Sequence, residues 1–142
     1  MSARPLVAHA TFARLVRARD FLADRALDAP RLDQAAREAY LSPFHFHRLF
    51  VRAFGETPHA FVARRRMERA KALLTAGESV TDACFAAGYG SLGTFSARFH
   101  ELVGCPPSEY RRQARMLVRV PGLRLPRPIP ACFRARFLGR AA

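Results

Sequence analysis

The stretch LDQAAREAYLSPFHFHRLFVRAFG, Leu32 to Gly55, returns 49 residues later as TDACFAAGYGSLGTFSARFHELVG, Thr81 to Gly104. In one register Asp33 meets Asp82, Tyr40 meets Tyr89, Ser42 meets Ser91, and Phe46 and Phe50 meet Phe95 and Phe99. The match runs on through Gly55 and Gly104, Pro58 and Pro107, and Phe61 and Tyr110, so the body is a duplicated supersecondary unit. Each copy reads as a short helix, a tight turn, and a second helix that stops at a glycine. In the first copy Leu32, Ala35, Ala36 and Ala39 share a face at helical spacing, and their small size lets another helix come close. Ser42 is placed as an N-cap with Pro43 at the first helical position, and Phe46, Leu49, Phe50 and Ala53 form an apolar stripe up to Gly55. The second copy repeats this with Gly88 and Gly90 in the turn, Ser91 as cap, and Phe95, Phe99 and Leu102 as the stripe before Gly104. Two helices joined by a short turn, twice over, is the shape of a helix-turn-helix pair.

Between the copies, Thr57 caps and Pro58 opens a long helix with Phe61, Met67, Ala70 and Leu74 at matching intervals, expected to hold the two units at a fixed separation. Ahead of them FARLVRARDFLADRAL reads as an amphipathic helix from Phe12, and after Pro106 and Pro107 the run SEYRRQAR reads as a short closing helix. The expected organisation is an N-terminal arm over 1–11, an all-α domain of about seven helices over 12–115 with helix-turn-helix units near 32–55 and 80–104, and a basic Pro/Arg-rich tail over 116–142. No secondary structure is assigned to the tail, which holds four prolines in ten residues. With 142 residues, half of them apolar, one sizeable core is expected.

Charge narrows the partners. Lys and Arg number 24 against 11 Asp and Glu, a net +13 that favours polyanions. Lys71 is the one lysine; arginine's planar fork suits phosphate and guanine, and a GC-rich coding sequence would equally favour it. From Arg111 onward there are nine arginines and no acid, which leaves residues 1–110 at +4. Cys84, Cys105 and Cys132 show no paired spacing, so neither a zinc site nor a disulfide framework is indicated. The N-terminus lacks an apolar run of signal-peptide length and no segment is long enough to span a bilayer. A cytoplasmic protein without membrane contact is expected.

The run GYGSLGTFSARFHELVGCPPSEYRR, with AYLSPFHFHRLFVRAFGETPHAF and RRRMERAKALL upstream, resembles the DNA-binding domain of the AraC family of bacterial transcription regulators. The resemblance covers roughly residues 12–113. It implies seven helices, with the long helix bridging two recognition helices that enter successive major-groove segments. The core stripe of the first recognition helix leaves Phe44, His45, His47, Arg48, Val51 and Arg52 outside. By resemblance the base-reading positions fall on Phe44, His47 and Arg48. Arg48 can fork onto guanine O6 and N7, or Arg48 and Arg52 can meet phosphate alone. The matching second set is Leu92, Gly93, Ser96 and Ala97, none long or charged, with Ala97 where Arg48 stands and Arg98 in the place of Leu49, from which it is expected to reach round to phosphate. Direct readout is therefore expected mainly from the first unit. Arg64, Arg65, Arg66, Arg69 and Lys71 are expected to divide between phosphate contact and a solvated face.

His45 and His47, two apart on a helix, cannot converge on one ion, and no nucleophile with a base, Walker loop or paired carboxylates appears, so no metal, cofactor or catalysis is expected. Cys84 and Cys105 are expected to be core and loop thiols. The tail admits three roles: an arm on DNA, which is favoured, a contact surface for RNA polymerase, or a strap packed through Leu117, Leu123, Ile129 and Phe133. The expected function is sequence-specific binding of double-stranded DNA in transcription regulation, with activation implied by the family alone. The length further leads to the expectation of a small stand-alone member acting as a monomer. The alternative is a basic nucleic-acid protein without sequence choice, which exposed aromatic platforms would favour.

Overall fold

The computed structural model describes residues 8–117; the tail from 118 on, including Cys132, Leu123, Ile129 and Phe133, lies outside the described residues. The described chain is all-helical, with seven helices and no strand: α1 His9–Asp24, α2 Leu32–Glu38, α3 Pro43–Phe54, α4 Pro58–Ala76, α5 Val80–Ala86, α6 Leu92–Val103 and α7 Pro107–Leu117. A 3-10 turn, Ala26–Asp28, follows α1. None of these helices is long and apolar enough to cross a membrane. Helix α1 begins at His9, three residues before Phe12, inside the segment read as an arm.

The chain divides into two compact units, the first ending at Arg66 and the second beginning at Met67, within α4. One core was expected; there are two, because each copy of the repeat closes around its own aromatic row. In the first unit Phe46, Phe50 and Phe61 are buried with Leu15, Ala18 and Leu22 of α1. The Phe50 ring meets Phe46 at 5.4 Å, Phe54 at 4.7 Å and Phe61 at 5.9 Å, all edge-on. In the second unit Phe95 and Phe99 lie 5.6 Å apart, and Phe99 meets Tyr110 at 5.5 Å. Each such edge contact adds about 0.5–1.5 kcal/mol beyond burial. The match of Phe50 with Phe99 and of Phe61 with Tyr110 is thus realised as the same ring ladder built twice.

Caps define the helix ends as read. Ser42 Oγ accepts the His45 N–H at 3.3 Å and Ser91 Oγ accepts that of Thr94 at 3.3 Å, while Thr57 Oγ1 accepts that of Ala60 at 3.1 Å. Gly55 and Gly104 end α3 and α6 in the left-handed region, at φ 74° and 90°. Two details depart from the sequence reading. Leu102 is half-exposed, and Val103 packs on the second core in its place. The covered face follows the i, i+4 row Phe95, Phe99, Val103, and Leu102 falls about 60° from its centre at 100° per residue.

The second departure concerns the repeat itself. The buried positions of α2 are Ala35, Ala36 and Ala39, and those of α5 are Ala83, Cys84 and Ala87, an offset of 48, although the caps Ser42 and Ser91 are 49 apart. Asp33 and Asp82, and Tyr40 and Tyr89, are therefore not structural counterparts. At an offset of 49 Phe85 would occupy the slot of Ala36, where the close approach of the next helix admits only a small side chain. Instead α5 ends one residue earlier in the repeat, Phe85 is exposed, and the second turn holds one more residue. Both helices end in a Schellman-type turn: Leu41 N–H donates to the Ala36 carbonyl and Tyr89 N–H to that of Cys84. The left-handed residue is Gly88 at φ 83° in the second unit and Tyr40 at φ 55° in the first.

A side chain in that region costs about 1–2 kcal/mol. The exposed Arg14 guanidinium, 5.7 Å from the Tyr40 ring centroid, returns about 0.5–1 kcal/mol at most. Tyr40→Gly is expected to raise stability, by less than about 1 kcal/mol after glycine's greater chain entropy in the unfolded state is counted; urea unfolding of the two proteins measures it.

Two half-exposed carboxylates, Glu109 and Asp33, are favoured in their ionised form by neighbouring donors. Hydrogen bonds from Arg112 and then Gln113 hold Glu109 below the ordinary glutamate value of 4.5. At Asp33 partial burial pushes upward, but the hydrogen bond and charge of Arg31, with the charge of Arg37, outweigh it. A carboxylate depressed in the folded state contributes stability that is complete above its unfolded pKa and is lost as pH falls through the folded one. Glu109→Gln is therefore expected to flatten the fall of the melting midpoint below about pH 4.5 while changing its slope little near neutrality, as differential scanning fluorimetry across pH would record.

Candidate nucleic-acid interface

With Phe46 and Phe50 turned into the first core, the opposite side of α3 is solvent-facing over its whole length. Phe44, His45, His47, Arg48, Val51 and Arg52 are all exposed, Phe44 by 74%. At 100° per residue Phe44, His47, Arg48 and Val51 share an arc of about 100°, and His45 and Arg52 lie together at its edge. The Arg48 guanidinium rests over the Phe44 ring, 5.7 Å from its centroid. That contact restricts the arginine before any ligand arrives, so less rotamer entropy is lost when its fork engages a base or phosphate. Ser42 supports the arrangement by fixing the N-terminal turn from which Phe44 projects.

The equivalent face of α6 is small. Gly93, Ala97 and His100 are exposed with Ser96 half-exposed, and Leu92 is 41% exposed at the start of the helix. His100, the counterpart of Val51, was not among the candidate residues; carrying the exposed arc of α3 across the 49-residue offset points straight to it. Arg98 lies beside this face with its guanidinium on Glu101 at 2.8 Å. A solvent-exposed pair of this kind is worth at most about 1 kcal/mol, so Arg98 can exchange Glu101 for a phosphate at little cost. Glu101 stands where Arg52 stands in α3, which further lowers the positive potential of the second face.

The structure also separates arginines that build the fold from those left to solvent. Arg66 Nε donates to the Ala26 carbonyl at 2.6 Å, fastening α4 to the 3-10 turn. Arg64 grips Glu56 at 2.8 Å and lies over Phe61. Arg111, counted with the basic tail in the sequence, donates to the Gly77 carbonyl at 3.0 Å and so ties α7 to the end of α4. Arg69 remains exposed and Lys71 half-exposed. Cys84 and Cys105 are both buried, and burial pushes the Cys84 thiol up, away from reactive thiolate character.

The helix-turn-helix domain family profile matches residues 35–113. Among curated proteins, the chain is 36% identical over 89 residues to the HTH-type transcriptional regulator Rv1931c of Mycobacterium tuberculosis, covering 62% of this chain and 34% of that protein. It is 31% identical over 96 residues to the virulence regulon transcriptional activator VirF of Yersinia enterocolitica, covering 67% and 35%. The bifunctional transcriptional activator/DNA repair enzyme Ada of Escherichia coli is 34% identical over 80 residues, 56% of this chain and 23% of that one. The chain thus spans about a quarter to a third of the length of these relatives. Among solved structures, an AraC-type DNA-binding-domain regulator from Chromobacterium violaceum superposes with a TM-score of 0.66 at 24% identity, over 78% of this chain and 96% of that one. The DNA-binding domain of AdpA, solved with a target DNA, gives 0.67 at 24%, over 77% and 98%. At these identities the two structures speak to the fold.

Proposed function

The chain belongs to the AraC family of helix-turn-helix transcription regulators, and on that premise we propose that it binds specific sites on double-stranded DNA in the cytoplasm, reading sequence mainly through α3. The observation that carries this reading is the contrast between the two exposed faces. On α3 an aromatic ring, two histidines and two arginines are displayed on one side, and arginine forks and amide-like or imidazole groups are the chemistry that separates base pairs in the major groove. On α6 the positions of Phe44, His47 and Arg48 are taken by Gly93, Ser96 and Ala97, those of His45 and Arg52 by Thr94 and Glu101, a set that suits backbone approach, thymine-methyl contact and shape readout.

Residues 12–115 form the DNA-binding part in this reading, and Arg98 with part of the α4 basic set contacts phosphate. The name of VirF, a transcriptional activator, supports activation over repression for this chain. A single protomer is the binding species, the basic segment from 116 on adds non-specific affinity, and RNA polymerase is its partner in activation.

Selection of bound sequences from a random duplex library at about physiological salt tests the reading. Enrichment of an asymmetric site with one sharply defined segment, bound about 10³-fold or more tighter than scrambled duplex, is the expected result. Absence of enrichment would instead establish a basic protein that coats nucleic acid through charge.

A further inference from the structure

We infer that Tyr40 and Arg14 form a contact for a DNA backbone phosphodiester beside the groove that α3 enters, an inference that rests on the DNA-binding reading above. The repeat supplies an internal control. At the left-handed position ending the first helix of each helix-turn-helix, the second unit has Gly88, whereas the first has Tyr40, a bulky residue at φ 55°. The ring is 77% exposed, so little apolar burial offsets that conformation. A strained residue that the surrounding packing does not require points to a role outside the fold.

Its chemistry and place identify the ligand. Tyr40 lies two residues ahead of Ser42, the cap of α3, and so at the end of the recognition helix that approaches DNA in helix-turn-helix docking. Arg14 of α1 lies over its ring. At 5.7 Å from the ring centroid the guanidinium keeps its N–H groups for two-point contact with a phosphate, to which the phenol O–H adds a donor. Neither group reads a base here; together they set how the first unit sits on the duplex.

The test uses the full chain with the selected duplex and a scrambled one. Tyr40→Gly is expected to unfold no earlier than the parent yet to weaken both duplexes by a similar factor, roughly tenfold, leaving the preference between them intact. Arg14→Gln is expected to lower the slope of log affinity against log salt by about 0.9. A neutral methylphosphonate walked along the selected site should weaken the parent at one position and leave Arg14→Gln unaffected there. Tyr40→Phe separates the hydroxyl from the ring, and with Arg14→Gln decides the matter should Tyr40→Gly fold poorly. Variants that bind as the parent does, with an unchanged salt slope, overturn this inference alone; a parent protein without site preference defeats the functional reading and leaves the salt slope of the parent against that of Arg14→Gln to judge the phosphate contact.

Discussion

Replacing Arg48 by alanine is expected to reduce discrimination between the selected site and its single-base variants by about 1–3 kcal/mol, roughly fivefold to 150-fold, at one guanine. Arg98→Ala is expected to lower affinity for all sequences alike and leave the ranking of sites unchanged. The asymmetry follows from what each arginine touches. Arg48 projects from the exposed arc of α3 and is steadied by Phe44, whereas Arg98 lies beside the face of α6 and is held by Glu101. Competition binding against a panel of point-substituted duplexes measures both, and equal loss of discrimination in the two variants would refute leadership by the first unit.

Phe50→Ala is expected to cost about 3–5 kcal/mol, a large share of the stability of a protein this size. Phe50 is fully buried and its ring meets three other phenylalanines, so truncation leaves a cavity that helices pinned by α1 and α4 cannot collapse to fill. Denaturant unfolding gives the magnitude, and hydrogen exchange should show protection falling in α2 and α3. Because the recognition face is the other side of the same helix, DNA binding should fall in proportion to the folded fraction. Phe44→Ala, by contrast, removes an exposed ring and should leave the unfolding midpoint nearly unchanged.

Much of this molecule is written locally. The spacing of Phe46 and Phe50, and of Phe95 and Phe99, determines which side of each recognition helix is buried, and therefore that Phe44, His47 and Arg48 face outward. Ser42, Thr57 and Ser91 set helix starts, and Gly55 and Gly104 set helix ends, because caps satisfy backbone groups within a few residues of themselves. Even the scarcity of base-reading groups on α6 is visible in Gly93, Ser96 and Ala97 as letters.

What the sequence determined by itself is therefore the set of helices, the duplication, and the exposed face of α3, all consequences of helical period and capping. The tertiary structure decided the rest. It slipped α5 by one residue against the repeat, since Phe85 could not take the slot of Ala36. It exchanged Leu102 for Val103 in the second core, split one expected core into two, and assigned Arg66 and Arg111 to backbone carbonyls of other segments. For the slip of α5 and for the two arginines the physical reason is shared: each depends on the room or the unpaired groups that another segment presents, and neither is expressed in the periodicity of the segment being read.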